Sequence, residues 1–94
     1  MKYLVSVTFR PIEGKRDALA AMIAPMLEQT RNTDGCLSAH LCFDTEKYEL
    51  VILHLWTSGA AFEDYLEMRA QRGDLHSVND LLADEQFLTT FNVA

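Results

Sequence analysis

The stretch Tyr48-Glu49-Leu50-Val51-Ile52-Leu53-His54-Leu55-Trp56-Thr57-Ser58 decides how the rest of the chain is read. It contains the aliphatic run Leu50 to Leu53 and the only Trp. β-Branched and aromatic residues are common in it, Gly and Pro are absent, and a polar turn precedes it. Those features predict a strand buried on both faces. Side chains alternate along a strand, so Leu50, Ile52, His54 and Trp56 share one face and Val51, Leu53 and Leu55 the other. The second face is purely aliphatic. The first ends in an imidazole and an indole, and it is the face expected to carry chemistry.

Immediately upstream, Cys36 to Phe43 alternates as a second strand, with Leu37, Ala39, Leu41 and Phe43 opposing Cys36, Ser38, His40 and Cys42. The short polar turn Asp44-Thr45-Glu46-Lys47 predicts an antiparallel hairpin between the two. A two-residue loop would set Leu41 opposite Leu50. A three-residue loop would set His40 opposite Ile52 and so change which histidines share a face.

Further out, Lys2 to Arg10 is a strand with Tyr3, Val5, Val7 and Phe9 on one side. Pro11-Ile12-Glu13-Gly14 is a turn. Lys15 to Arg31 is a helix whose stripe is Leu19, Met22, Ile23, Met26, Leu27 and Thr30. Pro25 removes one of its hydrogen bonds and predicts a kink near Ala21 to Pro25. Asn32-Thr33-Asp34-Gly35 stops it. Downstream, Thr57 or Ser58 can cap a helix that turns Phe62, Tyr65, Leu66 and Arg69 one way and ends at Gln71-Arg72-Gly73. Asp74 can cap a short helix with Leu75, Val78, Leu81 and Leu82 as its stripe. Glu85 to Val93 is the last strand.

The order β-α-β-β-α-(α)-β is α+β: a ferredoxin-like split βαβ, with one four-stranded antiparallel sheet and helices on one face. A chain of 94 residues predicts a single domain spanning 1–94. All four strands are apolar on both faces while helices cover only one. A second copy of the sheet is the expected cover, which makes a homodimer.

The net charge of -6 comes without any basic stripe, so nucleic acid is not an expected partner. No run approaches 18 apolar residues and no leader is visible, so no membrane partner is expected either. Cys36 and Cys42 sit on one strand, roughly 20 Å apart at about 3.3 Å per residue, beyond disulfide reach. A reduced, cytoplasmic protein is the expectation.

Several of these residues together resemble a known family. Gly35-Cys36-Leu37 opens the second strand, the apolar strand ends in Trp56-Thr57-Ser58, and Ala61-Phe62 opens a helix. With the Gly14-Lys15 turn, this pattern is similar to the antibiotic biosynthesis monooxygenase domain over nearly the whole chain. The resemblance implies a dimeric α/β barrel and a cofactor-free oxygenase of phenolic polycycles or hydroquinones. The substrate would be its own reductant: the protein removes a proton and the electron-rich anion reacts with O₂. Trp56 matches the family's Trp. The residue two before it, commonly Glu, is His54, and the residue nine after it, commonly His, is Tyr65. Phenol-oxidising members can carry Asn four before the Trp and Tyr six after, where this chain has Ile52 and Phe62. A related branch degrades haem. Its first-strand Asn has no counterpart among Ser6, Val7 and Thr8, so no haem or other cofactor is expected.

The expected pocket lies between the helices and the sheet, with Ile52, Phe62, Tyr65, Leu66 and Arg69 contacting a small aromatic or quinol-like molecule. His54 would be the general base, because an imidazole titrates near neutral pH, and Trp56 the stacking wall. Each has a plainer role: Trp56 as a core plug, His54 as a hydrogen-bonded core residue, Tyr65 as a core ring with its hydroxyl at the surface, and Arg69 as a side chain laid along the sheet. His40 and Cys42 share a strand face but lack further ligands at useful spacing, so no metal is expected. His76 is expected to be solvated. Two other functions suit the same fold: a non-catalytic dimeric module that binds a small ligand, and a proton-transfer isomerase acting on lactones or related cyclic acids.

Overall fold

A computed structural model describes residues 1–73 and 76–94. Seven elements follow one another: β1 (Tyr3–Phe9), α1 (Arg16–Arg31), β2 (Cys36–Phe43), β3 (Leu50–Trp56), α2 (Gly59–Arg72), α3 (His76–Asn79) and β4 (Phe87–Asn92). The strands form one antiparallel sheet in the order β2-β3-β1-β4, the ferredoxin-like arrangement the alternation predicts. The cap expected of Asp74, the place of Leu75 in a stripe and the exposure of the His76 side chain lie outside the described residues.

The pleat sorts the sheet into two unlike faces. His54 stands between Val5 of β1 and Ala39 of β2, and Ile52 between Val7 and Leu41. These residues face the helices. Two buried clusters form there: Phe9, Leu19, Ile23, Leu50 and Val78, and separately Val5, Trp56 and Phe62. The other face carries Leu4, Val51, Leu53, Leu55, Phe87 and Phe91 and has no helix over it among the described residues. Leu53 is 37% exposed and Phe91 48%. The expectation that β3 is buried on both faces therefore holds for one face only within a single chain.

Neither expected hairpin register is adopted. Leu41 pairs with Ile52 and Phe43 with Leu50, so the connection is longer than two or three residues. Two interactions explain it. The Asp44 carboxylate accepts hydrogen bonds from the Glu46 and Lys47 amides at 2.8 and 2.9 Å, folding the turn and holding the Asp44 pKa below its ordinary value. Tyr48 is drawn out of the strand, and its hydroxyl accepts from the Gly14 and Arg16 amides at 3.0 Å each. It thereby caps α1, which has no capping side chain of its own. His40 consequently pairs with Leu53, on the opposite face from His54.

The expected alternation of β2 also breaks at its start. The register shifts between Cys36 and Ser38, so the extra residue Leu37 bulges outward and is exposed, while Cys36 joins Trp56 on the helix side. Both cysteines are free. The α1 helix runs through Pro25 without interruption. Ser58 caps α2, its hydroxyl accepting from the Ala61 amide at 3.2 Å, and Gly73 ends it in the left-handed conformation. After α3 the chain is tied back to the β1–α1 turn, where the Ile12 amide donates to Leu81 and the Ala83 amide to Arg10, both at 2.8 Å. That tie brings Val78 into the first cluster.

Candidate active site

Between the two clusters lies a cavity of about 140 Å³. Its sheet wall is Val7, Phe9, Ile52 and His54; α1 supplies Ile23, Met26, Leu27 and Thr30; α2 supplies Phe62, Tyr65, Leu66 and Arg69. Val78, Gln86 and Leu88 complete the lining. An engineered apolar cavity of about 150 Å³ holds one benzene. The space is on the scale of a single aromatic ring.

Six residues expected at the pocket line it: Ile52, His54, Phe62, Tyr65, Leu66 and Arg69. Trp56 does not. It is fully buried behind the wall, with ring centroids 5.0 Å from Tyr65 and 5.8 Å from Phe62. The expected stacking wall is instead a buttress, because Trp56 stands at the end of β3, where Gly35 and Ala61 close over it. A Cβ on Gly35 would come within 2.7 Å of the Ala61 Cβ and 3.8 Å of the indole, and Gly35 adopts φ +89. The scattered motif Gly35, Trp56-Thr57 and Ala61 is thus one joint in space. Its last link is the Thr57 amide, which donates to the Gly35 carbonyl at 2.9 Å.

The indole has a second task. Trp56 Nε1–H donates to His54 Nδ1 at 2.7 Å. An indole nitrogen can only donate, so Nδ1 must be the acceptor, and a neutral ring then carries its proton on Nε2. Burial pushes the His54 pKa down to about 4, so the imidazole is neutral at pH 7. Nε2 makes no hydrogen bond to the described residues.

Three other polar residues of the cavity, Thr30, Tyr65 and Arg69, form a network. Arg69 is 3% exposed; its Nε donates to the Tyr65 hydroxyl at 2.9 Å, and its Nη2 to the Met26 carbonyl at 2.6 Å and to Thr30 Oγ1 at 3.3 Å. Nη1 donates to Gln29 Oε1 at 3.0 Å. The Thr30 hydroxyl donates to the Met26 carbonyl at 3.0 Å, which leaves it to accept the Tyr65 proton at 2.6 Å. Tyr65 and Arg69 are therefore turned into the fold, not toward the surface. The sequence did not single out Thr30 and Gln29 as site residues. Thr30 carried a signal: it is the one hydroxyl on the apolar stripe of α1.

His40 and Cys42 lie on the open face, away from the cavity. Among the described residues no three metal-donating side chains come together. No described helix is long and apolar enough to cross a membrane.

Comparison with known proteins assigns this architecture. The sequence profile of the family described as "Antibiotic biosynthesis monooxygenase" matches residues 2–73. The chain belongs to this family. Rv0793 of Mycobacterium tuberculosis, provisionally named a monooxygenase, is 35% identical over 77 residues, covering 76% of each sequence. Its solved structure superposes with a TM-score of 0.88 and 26% identity, over 100% of this chain and 96% of that one. A Deinococcus radiodurans structure provisionally assigned to the same antibiotic biosynthesis monooxygenase family gives 0.87 at 16% identity, over 98% and 92%. At that identity the likeness speaks for the fold alone.

Proposed function

We propose that the chain is a cofactor-independent monooxygenase acting on a one-ring phenol or hydroquinone. The observation that carries this is the cavity of about 140 Å³: largely apolar walls on the scale of one ring, with the His54 imidazole edge among them. Family membership supplies the reaction class. A hydroquinone and O₂ give a hydroxyquinone and water; the ring gives up four electrons, one oxygen atom enters it and the other leaves as water. The protein's part is to exclude water, hold the ring and favour its oxyanion, the electron-rich form that O₂ attacks.

In this reading His54 is a hydrogen-bond donor, not the base expected from its residue type. A base of pKa about 4 would take a proton from a phenol of pKa about 10 at a cost of about 8 kcal/mol. The Nε2–H of a neutral ring instead stabilises the anion once it forms. Ile52, Phe62 and Leu66 hold the ring, and the Tyr65–Arg69 network fixes the α2 wall. Trp56 acts behind His54.

The test is O₂ uptake with chelator-treated protein on hydroquinones and on tricyclic anthrone-type phenols. Uptake with the one-ring set only, falling about 10²-fold in His54→Phe, is the expected result. Uptake only with the tricycles, or uptake untouched by the substitution, would sink it.

A second reading, a module that binds the ring without turnover, draws support from the same imidazole, which is a poor proton acceptor. The isomerase reading is weakened for that reason. A binder is stabilised in thermal melting by hydroquinone while consuming no O₂. The open sheet face supports one more proposal: two chains associate through it as a homodimer.

A further inference from the structure

We infer that the Trp56 indole is a positioning group: it holds His54 in the Nε2–H tautomer, so the cavity offers a donor and selects ligands that present an acceptor oxygen, a phenolate or a quinone carbonyl. The ligand class rests on the reading of the cavity given above; the tautomer does not.

Three observations carry it. First, the donor–acceptor pair is fixed by chemistry. At 2.7 Å the indole N–H has His54 Nδ1 as its partner, and no other protonation pattern of a neutral imidazole accepts there. Second, three aromatic rings pack against the imidazole. His54 makes edge-on contacts with Trp56, Phe62 and Tyr65 at ring centroid distances of 5.8, 5.6 and 6.2 Å, so the imidazole has little room to turn over. Third, His54 lines the cavity and Trp56 does not. With Nδ1 turned back toward the indole, the ring's remaining polar atom is the one left for a ligand.

The surroundings favour a neutral donor. The titratable and charged groups on α2 that face His54 are the Tyr65 phenol and, behind its hydroxyl, the Arg69 guanidinium. Its sheet neighbours Val5 and Ala39 are apolar, and no carboxylate lines the cavity among the described residues. Nothing there favours imidazolium, and burial opposes it.

The experiment is ¹⁵N NMR of protein labelled at histidine, at pH 6 to 8. The expected His54 signals are an unprotonated Nδ1 and a protonated Nε2 with no ligand present. In Trp56→Phe, which keeps an aromatic ring but loses the N–H, the tautomers mix. A proton on Nδ1, or an imidazolium at pH 7, in the wild-type protein overturns the inference without recourse to any variant. The ligand arm uses 4-fluorophenol under anaerobic conditions, with ¹⁹F NMR reading its ionisation. The wild-type protein should bind the phenolate at least about tenfold tighter than the phenol, lowering the bound pKa by about one unit or more. His54→Phe should abolish that preference. Preferential binding of the neutral phenol overturns the donor assignment. Absent O₂ uptake with the expected tautomer would count against the oxygenase reading alone, and uptake with the opposite tautomer against this inference alone.

Discussion

The two faces of β3 differ in fate more than in composition. Leu50, Ile52, His54 and Trp56 look toward the helices, and three of the four are buried; Val51, Leu53 and Leu55 look away, and none is. On the covered side Tyr3, His54, Trp56, Phe62 and Tyr65 form one cluster of touching rings, and one imidazole edge is left for a cavity. On the open side, rows such as Leu55–Leu4–Phe91 run across three strands with no described helix over them. Alternation creates both faces, but helix placement alone decides which becomes core. The chain thus resolves its hydrophobic burden on one side and leaves it unresolved on the other.

The largest expected effect tests whether the covered face is the true core. Trp56→Ala removes a fully buried indole and leaves His54 Nδ1 without its donor. The expected loss is about 4 kcal/mol in urea unfolding. A loss under about 1 kcal/mol would mean that the joint at the end of β3 is not structural.

The next test is electrostatic. The folded-state pKa of His54 is depressed to about 4 from an ordinary 6.5, so between these values the unfolded chain binds more protons. Stability from this group is complete above about pH 6.5 and falls as pH drops toward 4, by about 3 kcal/mol in all. In His54→Asn the amide oxygen can still accept from the indole, but nothing titrates. The variant should lack this part of the acid slope, read from denaturation midpoints at pH 7, 5.5 and 4. Parallel curves for the two proteins would contradict the buried neutral imidazole.

A pair of glycines sharpens the comparison locally. Gly14 and Gly35 both have positive φ, +82 and +89, but a Cβ at Gly14 meets nothing within 4 Å and one at Gly35 stands 2.7 Å from Ala61. Backbone strain should cost both alanine variants about 1 kcal/mol, and crowding should add about 1–2 kcal/mol more at Gly35 only. Equal losses would show that Ala61 and α2 move aside freely.

Most of the fold was legible because period-two alternation is a local signal. The strands and the facing of β1 and β3 could be read from it, and the helices from the equally local 3.6-residue stripe. What failed depended on partners distant in sequence. Tyr48 is taken from the strand by amides of the β1–α1 turn, so no local rule could set the hairpin register. The bulge at Leu37 lies beside the close approach of Gly35 to Ala61, between residues 26 apart. At the site, residue types pointed to the right places while neighbours changed the roles. His54 reads as a base until the indole occupies one nitrogen, and Tyr65 and Arg69 read as ligand contacts until Thr30 and Met26 engage them.

The smallest expected effect on the fold carries the most weight for the open face. Leu53→Lys adds an ammonium among His40, Ser6 and the aliphatic rows, where water already reaches. A single chain should tolerate it within about 0.5 kcal/mol. If two sheets meet there, the same lysine must lose its water against an apolar partner at a cost of several kcal/mol, and the pair should part. Light scattering at micromolar concentration should then report a dimer for the wild-type protein and a monomer for the variant, with unchanged circular dichroism. A wild-type monomer would show instead that this antibiotic biosynthesis monooxygenase domain keeps an aliphatic sheet face in water. The asymmetry between the two faces of β3 would then be a property of the folded chain itself and not the mark of a missing partner.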